Sequence, residues 1–153
     1  MKLKILIMVI ILSTVASAYT FEENKKTCDS GNMIGCFNLG IMYSNGESIK
    51  QDYFKANKYY RKACDGGYTE GCFNLGNSYY QGKAVRQDYF KANKLFKKAC
   101  DGGHKKGCFN LGNSYYSGVG VKQDKNKAKE LYGKACDLGA NRGCEEYAIL
   151  NKR

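Results

Sequence analysis

Cysteines stand at positions 28, 36, 64, 72, 100, 108, 136 and 144, so one spacing of eight recurs four times at an interval of 36 residues. Nothing interrupts the period: Gly-Cys-Phe-Asn-Leu-Gly occupies 35–40, 71–76 and 107–112, and Gln-Asp occupies 51–52, 87–88 and 123–124. A unit of this length cannot bury its apolar face alone and must stack on neighbours. The expected architecture is a short solenoid with units 28–63, 64–99 and 100–135 and a truncated cap over 136–153.

The first 18 residues carry Lys2 and Lys4, an apolar run from Ile5 to Leu12, and small residues ending in Ala16-Ser17-Ala18. This is the layout of a secretory signal peptide, leaving residues 19–153 as one repeat domain. The run is short for a membrane span, no second apolar run follows, and the mature chain is expected to be secreted or periplasmic.

Export decides what the cysteines do. In an oxidising compartment an even number at fixed spacing reads as a disulfide framework, and close metal-ligand pairs are absent. Residues eight apart in one helix lie about 12 Å from each other, beyond the roughly 7 Å that a bridge spans between Cα atoms. A turn must therefore intervene. Asp29-Ser30-Gly31, Asp65-Gly66-Gly67, Asp101-Gly102-Gly103 and Asp137-Leu138-Gly139 supply it. Local bridges Cys28–Cys36, Cys64–Cys72, Cys100–Cys108 and Cys136–Cys144 follow, each worth about 2.5 kcal/mol by chain entropy.

Period places the helices. Ala56, Tyr59, Tyr60 and Ala63 recur as Ala92, Leu95, Phe96 and Ala99, then as Ala128, Leu131, Tyr132 and Ala135, behind the N-cap candidates Asp52, Asp88 and Asp124. These form the second helix of each unit. Cys72, Leu75, Gly76 and Tyr79 give the first helix the same spacing, with Gly40, Gly76 and Gly112 small enough for close helix approach. Phe21 to Thr27 reads as a remnant second helix at one end, and the last first-type helix carries Glu145, Glu146, Asn151, Lys152 and Arg153 as a polar cap.

Leu-Gly ahead of Tyr-x-x-Gly, then Asp, then Lys-Ala-x-x-x-[Tyr/Phe]-x-Lys-Ala-Cys resembles the Sel-one-like repeat, a relative of the tetratricopeptide repeat. With its paired cysteines the chain is similar to the Helicobacter cysteine-rich proteins. The resemblance implies an all-α superhelix of helix pairs, a concave face lined by the first helices, and a disulfide across each Cys pair. It also implies penicillin binding and weak β-lactamase hydrolysis, binding of peptides or cell-wall fragments such as muropeptides, or an adaptor role toward envelope or host proteins.

The residues give the enzyme reading little material. Ser-x-x-Lys, Lys-Thr-Gly and Ser-Asp-Asn are absent, so no serine nucleophile has a base assigned by motif. His104 is the sole histidine, reads as a solvated turn residue, and makes an imidazole metal site untenable. The carboxylate pairs Glu22-Glu23 and Glu145-Glu146 sit near the termini and read as solvated caps. No metal, cofactor or catalytic residue is nominated, and a monomer is expected.

Binding has better material. Phe73, Asn77 and Tyr80 share a first-helix face repeated by Phe109, Asn113 and Tyr116, with Phe37 starting the column and Asn38, Asn74 and Asn110 flanking it. The resemblance places Asn74, Asn77, Asn110 and Asn113 in a ligand groove, with Lys106 and Arg142 as loosely matched basic partners. An amide both donates and accepts, which suits an extended peptide. The Phe column equally suits packing between units, and the Asn ladder equally suits ties between helices.

Without Lys2 and Lys4 the chain has 23 basic and 14 acidic residues, a charge of +9. Lys55, Lys58 and Lys62 on one second helix, and Lys91, Lys94 and Lys98 on the next, form an outer stripe. It is either a solvated face or an attraction to anionic polymers or lipid head groups. Nucleic acid is excluded by export and by the lack of a reading module.

Overall fold

A computed structural model of the protein describes residues 20–46 and 49–152. The expected signal peptide and Arg153 lie outside the described residues. Within them the fold is an all-helical repeat: α1 (20–29), α2 (Met33–Asn45), α3 (Tyr53–Asp65), α4 (Thr69–Gln81), α5 (Tyr89–Asp101), α6 (Lys105–Ser117), α7 (Lys125–Asp137) and α8 (Asn141–Asn151). Each helix packs on its neighbours in sequence, so the chain advances by stacking helix pairs. The first-type helices α2, α4, α6 and α8 are called A here, and α1, α3, α5 and α7 are called B.

The B helices start where the sequence places them. Asp52, Asp88 and Asp124 adopt extended backbone and accept from the N–H of Lys55, Lys91 and Lys127. Their apolar stripes are buried at Ala56, Tyr60, Ala63, Ala92, Phe96, Ala99, Ala128, Leu131, Tyr132 and Ala135, in the core with Leu39, Leu75 and Leu111, while Tyr59 and Leu95 are only partly buried. The remnant over Phe21 to Thr27 falls within α1, in the B position ahead of the first A helix.

At each B-to-A junction the chain reverses within three residues and a disulfide closes it. All four local bridges are formed, with Cα atoms 4.5 Å apart. Of the turn residues only the third is always glycine, and Gly31, Gly67, Gly103 and Gly139 take φ from 83° to 91° where a side chain would strain the backbone. Its predecessor is Ser30, Gly66, Gly102 or Leu138, and a Cβ at Gly66 or Gly102 would run into the Met33 or Thr69 side chain.

The helices on either side of a bridge pack almost backbone to backbone. A Cβ at Gly71 would lie 2.9 Å from the Cys64 nitrogen and 2.9 Å from the Tyr60 carbonyl oxygen. Gly76 serves the neighbouring B helix as expected, since a Cβ there would stand 2.8 Å from the Phe96 ring.

Candidate functional site: the A-helix face

Half-buried Phe37, Phe73 and Phe109 run along the A helices, each wedged between a ring of its own unit and the start of the next A helix. Phe73 lies 6.0 Å from Phe96 and stacks on His104 at 4.5 Å. Phe37 meets Tyr60 at 5.9 Å and Tyr68 at 5.2 Å, whereas Phe109 meets Tyr132 at 5.6 Å and the Arg142 guanidinium at 5.0 Å. The column thus packs unit to unit and still shows an edge to solvent.

That edge floors two adjoining clefts. One of about 370 Å³ is lined by Phe73, Lys106, Phe109, Asn110, Ala140 and Arg142, together with Lys105, Gly139 and Asn141. The other, about 530 Å³, lies one unit earlier among Phe37, Glu70, Phe73, Asn74, His104 and Lys106. Lys105 is held by the Gly139 carbonyl at 3.2 Å. Among the described residues neither Lys106 nor Arg142 has a carboxylate partner. Two unpaired cations therefore stand over an aromatic floor, an arrangement suited to a carboxylate with apolar substituents.

A third cleft of about 260 Å³ opens at the opposite end of the A helices, lined by Tyr80, Phe96, Asn110, Asn113, Ser114, Ser117 and Val119. Asn110 borders both this cleft and the first. Asn77 and Tyr116 line none of the three. Asn77 accepts from the Asn110 amide at 3.4 Å, and the Tyr116 ring lies under Lys125 at 5.8 Å.

The Asn ladder is tied into the helices. Asn38 donates to Asn24 at 3.0 Å, and Asn113 accepts from the Tyr132 hydroxyl at 2.8 Å. Burial, with Glu146 and Tyr116 adding to it, pushes the Tyr132 pKa up to about 12, so the hydroxyl stays a donor. Unit two has Phe96 in place of this tyrosine, which leaves the Asn77 oxygen for Asn110. The amide nitrogen of Asn113 has no protein partner among the described residues.

His104 is not the solvated turn residue expected. Half-buried, it is the N-cap of α6, its Nδ1 accepting from the Gly107 N–H at 3.1 Å. Burial lowers its pKa; Glu70 opposes that shift and Lys106 adds to it. The signal lay in register: Asn32, a standard N-cap residue, holds the equivalent place in unit one and caps α2.

One hydroxyl stands beside a carboxylate among the described residues: Thr69 donates to Glu70 at 3.1 Å, and both line the second cleft. Ser78 and Ser114 are buried and donate to the carbonyls of Asn74 and Asn110, and all eight cysteines are bridged. No group of three His, Cys, Asp or Glu side chains among those residues is placed to hold a metal, and no helix among them is long and apolar enough to cross a membrane.

The repeat geometry has known counterparts. The Sel1 repeat is matched three times in tandem, over residues 34–68, 69–104 and 105–139. The chain belongs to the Sel1 repeat family. These matches begin in an A helix, whereas the cysteine period counts each unit from the end of a B helix; both describe the same 36-residue step. Among solved structures, a Sel1 repeat protein from Oxalobacter formigenes is 29% identical, with 84% of this chain and 96% of that chain covered at a TM-score of 0.78. Helicobacter pylori cysteine rich protein B is 32% identical over 86% of this chain and 95% of its own, at a TM-score of 0.70. A protective antigen of uropathogenic Escherichia coli strains displaying an SLR fold is 33% identical over 79% of this chain, at a TM-score of 0.76. This chain spans 26% of that antigen's length. No curated protein matches the chain.

Proposed function

We propose that this Sel1 repeat protein is exported, oxidised and used as a binding module. Its A-helix face holds an extended ligand that carries a carboxylate, such as a peptide terminus or a muropeptide stem. The observation that carries this reading is the cleft in which Lys106 and Arg142, both without a carboxylate partner, overlook Phe73 and Phe109 beside the Asn110 amide. The cations take the carboxylate, the rings take an apolar side chain, and the amides of Asn74, Asn110 and Asn113 pair with ligand backbone along the face. Four bridged turns, the likeness to a cysteine-rich Helicobacter pylori protein, and the signal-like residues 1–18 support a place outside the cytoplasm.

A β-lactam presents the same carboxylate and enters this reading as a ligand. Hydrolysis has no Ser-x-x-Lys, Lys-Thr-Gly or Ser-Asp-Asn motif to carry it.

Calorimetric titration with a short peptide acid and its C-terminal amide tests the proposal. The acid binds, the amide binds at least about tenfold more weakly, and Lys106→Gln with Arg142→Gln removes the preference. Equal binding of acid and amide, or a preference that survives the double substitution, overturns it. Nitrocefin turnover that follows the oxidised protein and is lost in the same variant favours an enzyme instead.

A further inference from the structure

The outer Lys stripe divides into three sets with different partners. Lys55 and Lys91 return to the N-cap carboxylates Asp52 and Asp88 at 3.8 and 3.3 Å. Lys62, Lys98 and Lys134 reach back to the preceding turn, at 3.9 Å from Asp29, 3.9 Å from Asp65 and 4.0 Å from Asp101. These pairs tie each B helix to the end of the preceding B helix and are exposed, so each contributes little. Lys58 and Lys94 have no carboxylate among the described residues, and Lys94 rests 4.5 Å from the centre of the Phe90 ring.

Phe90 belongs to the same helix face, four residues before Lys94, and Phe54 holds the equivalent position before Lys58. Both rings stand out from the protein, Phe54 being 74% and Phe90 57% exposed. Their neighbours Tyr53 and Tyr89 are engaged within the protein surface: Tyr53 accepts from Gln51 at 3.0 Å, and Tyr89, 36% exposed, meets Tyr80 edge-on at 5.0 Å. Neither phenylalanine lines any of these three clefts. Unit three lacks the pattern, with Asn126 and Glu130 in the two places.

On the same helix faces Lys58 and Lys94 follow the rings at one turn's spacing with no carboxylate beside them among the described residues, and the acids at the helix starts, Asp52 and Asp88, are both engaged as caps. Solvent-facing rings in equal register on successive helices, bordered by uncompensated cations, meet both demands of a lipid interface: apolar groups for the acyl boundary and positive charge for anionic head groups. A soluble polyanion uses the cations and leaves the rings in water. The rings therefore favour a bilayer as the occupant of this surface.

We propose that the outer face of units one and two docks peripherally on anionic phospholipid bilayers, with Phe54 and Phe90 entering the interface and Lys58 and Lys94 engaging the head groups. Flotation of the oxidised full chain with vesicles of phosphatidylcholine alone, or with phosphatidylglycerol added, tests it. Every variant keeps the same N-terminus, so differences between variants report the patch.

Binding should require phosphatidylglycerol and weaken with salt. Phe54→Ser with Phe90→Ser should lower the partition coefficient about tenfold, as should Lys58→Gln with Lys94→Gln. Asn126→Ser should change nothing. Binding to neutral vesicles as strong as to anionic ones overturns the proposal, as does no binding at all. A double Phe variant that keeps a native circular dichroism spectrum and full vesicle binding also overturns it. If that variant loses nothing while dextran sulfate competes through the lysines, the surface belongs to a soluble polyanion.

Discussion

The two ends of the helix pairs are closed by different chemistry. At the B-to-A end the turn is short, a disulfide crosses it, and the two A-helix clefts that hold Lys106 open beside it. At the A-to-B end seven-residue connections such as 82–88 and 118–124 have no bridge and are held by amides. Asn57 and Asn93 reach from one B helix to the loop of the next unit, donating to the Lys83 and Val119 carbonyls at 2.8 Å. Gln51, Gln87 and Gln123 donate to the carbonyls of Ser44, Tyr80 and Tyr116. A covalent clasp constrains the unfolded chain, whereas a side-chain amide only satisfies the folded one. The cleft proposed for a carboxylate therefore sits at the covalently closed end.

Removing the clasps should have the largest effect. With about 2.5 kcal/mol for each of four small loops, full reduction should lower the Tm by at least about 20 °C. Cys64→Ser with Cys72→Ser should cost about 2.5 kcal/mol alone. Partial reduction should begin at Cys136–Cys144, because the other six cysteines are at most 1% exposed and this pair is not fully buried. Calorimetry with and without reductant, and mapping of the first thiols to be alkylated, check both. A thermal scan indifferent to reductant breaks the contrast between the ends.

Much of the bridged end was legible because covalent geometry leaves few choices. Eight residues cannot be bridged along a helix, so the spacing demanded a turn, and the invariant third glycine marked it. The partners of the site were harder to read. Gly71 was visible in Gly-Cys-Phe-Asn-Leu-Gly, but its contact with the Cys64 and Tyr60 backbone depends on an interhelical distance that no periodicity encodes. The Phe column was open between packing and groove because a half-buried ring does both. Asn113 reads as a free amide until Tyr132 is placed against it, and Phe96 in the next-lower unit was the available hint. Asn57 and Asn93 were missed although they recur with the period. Lys129 replaces them in unit three.

Cutting one amide tie should have a smaller effect than losing a bridge. Asn93 is buried, and its Oδ1 has no partner among the described residues. Asn93→Ala therefore removes an unsatisfied oxygen along with the bond to the Val119 carbonyl, and the two changes partly offset. The expected loss is about 1 kcal/mol, against the larger cost of breaking a buried bond cleanly. Denaturant unfolding reads this directly, and hydrogen exchange should quicken in residues 118–124 while the bridged turns keep their protection. Loosening that spread equally to both ends would remove the distinction between them.

The smallest effect concerns His104, the one cap at the bridged end that titrates. Its Nδ1 accepts from Gly107 only while unprotonated, and burial makes the folded protein bind a proton less readily than the unfolded chain. Its contribution to stability is therefore complete above the ordinary histidine value of about 6.5 and declines as pH falls through that value toward the lower folded one. His104→Asn keeps a cap of the kind Asn32 provides in unit one and cannot titrate. Between pH 7.5 and 5.5 the parent should lose more Tm than this variant, and the difference should survive 0.5 M salt because a local proton, not long-range charge, causes it. Parallel pH profiles would mean that the cap at α6 tolerates protonation, leaving the stack on Phe73 to hold the histidine in place.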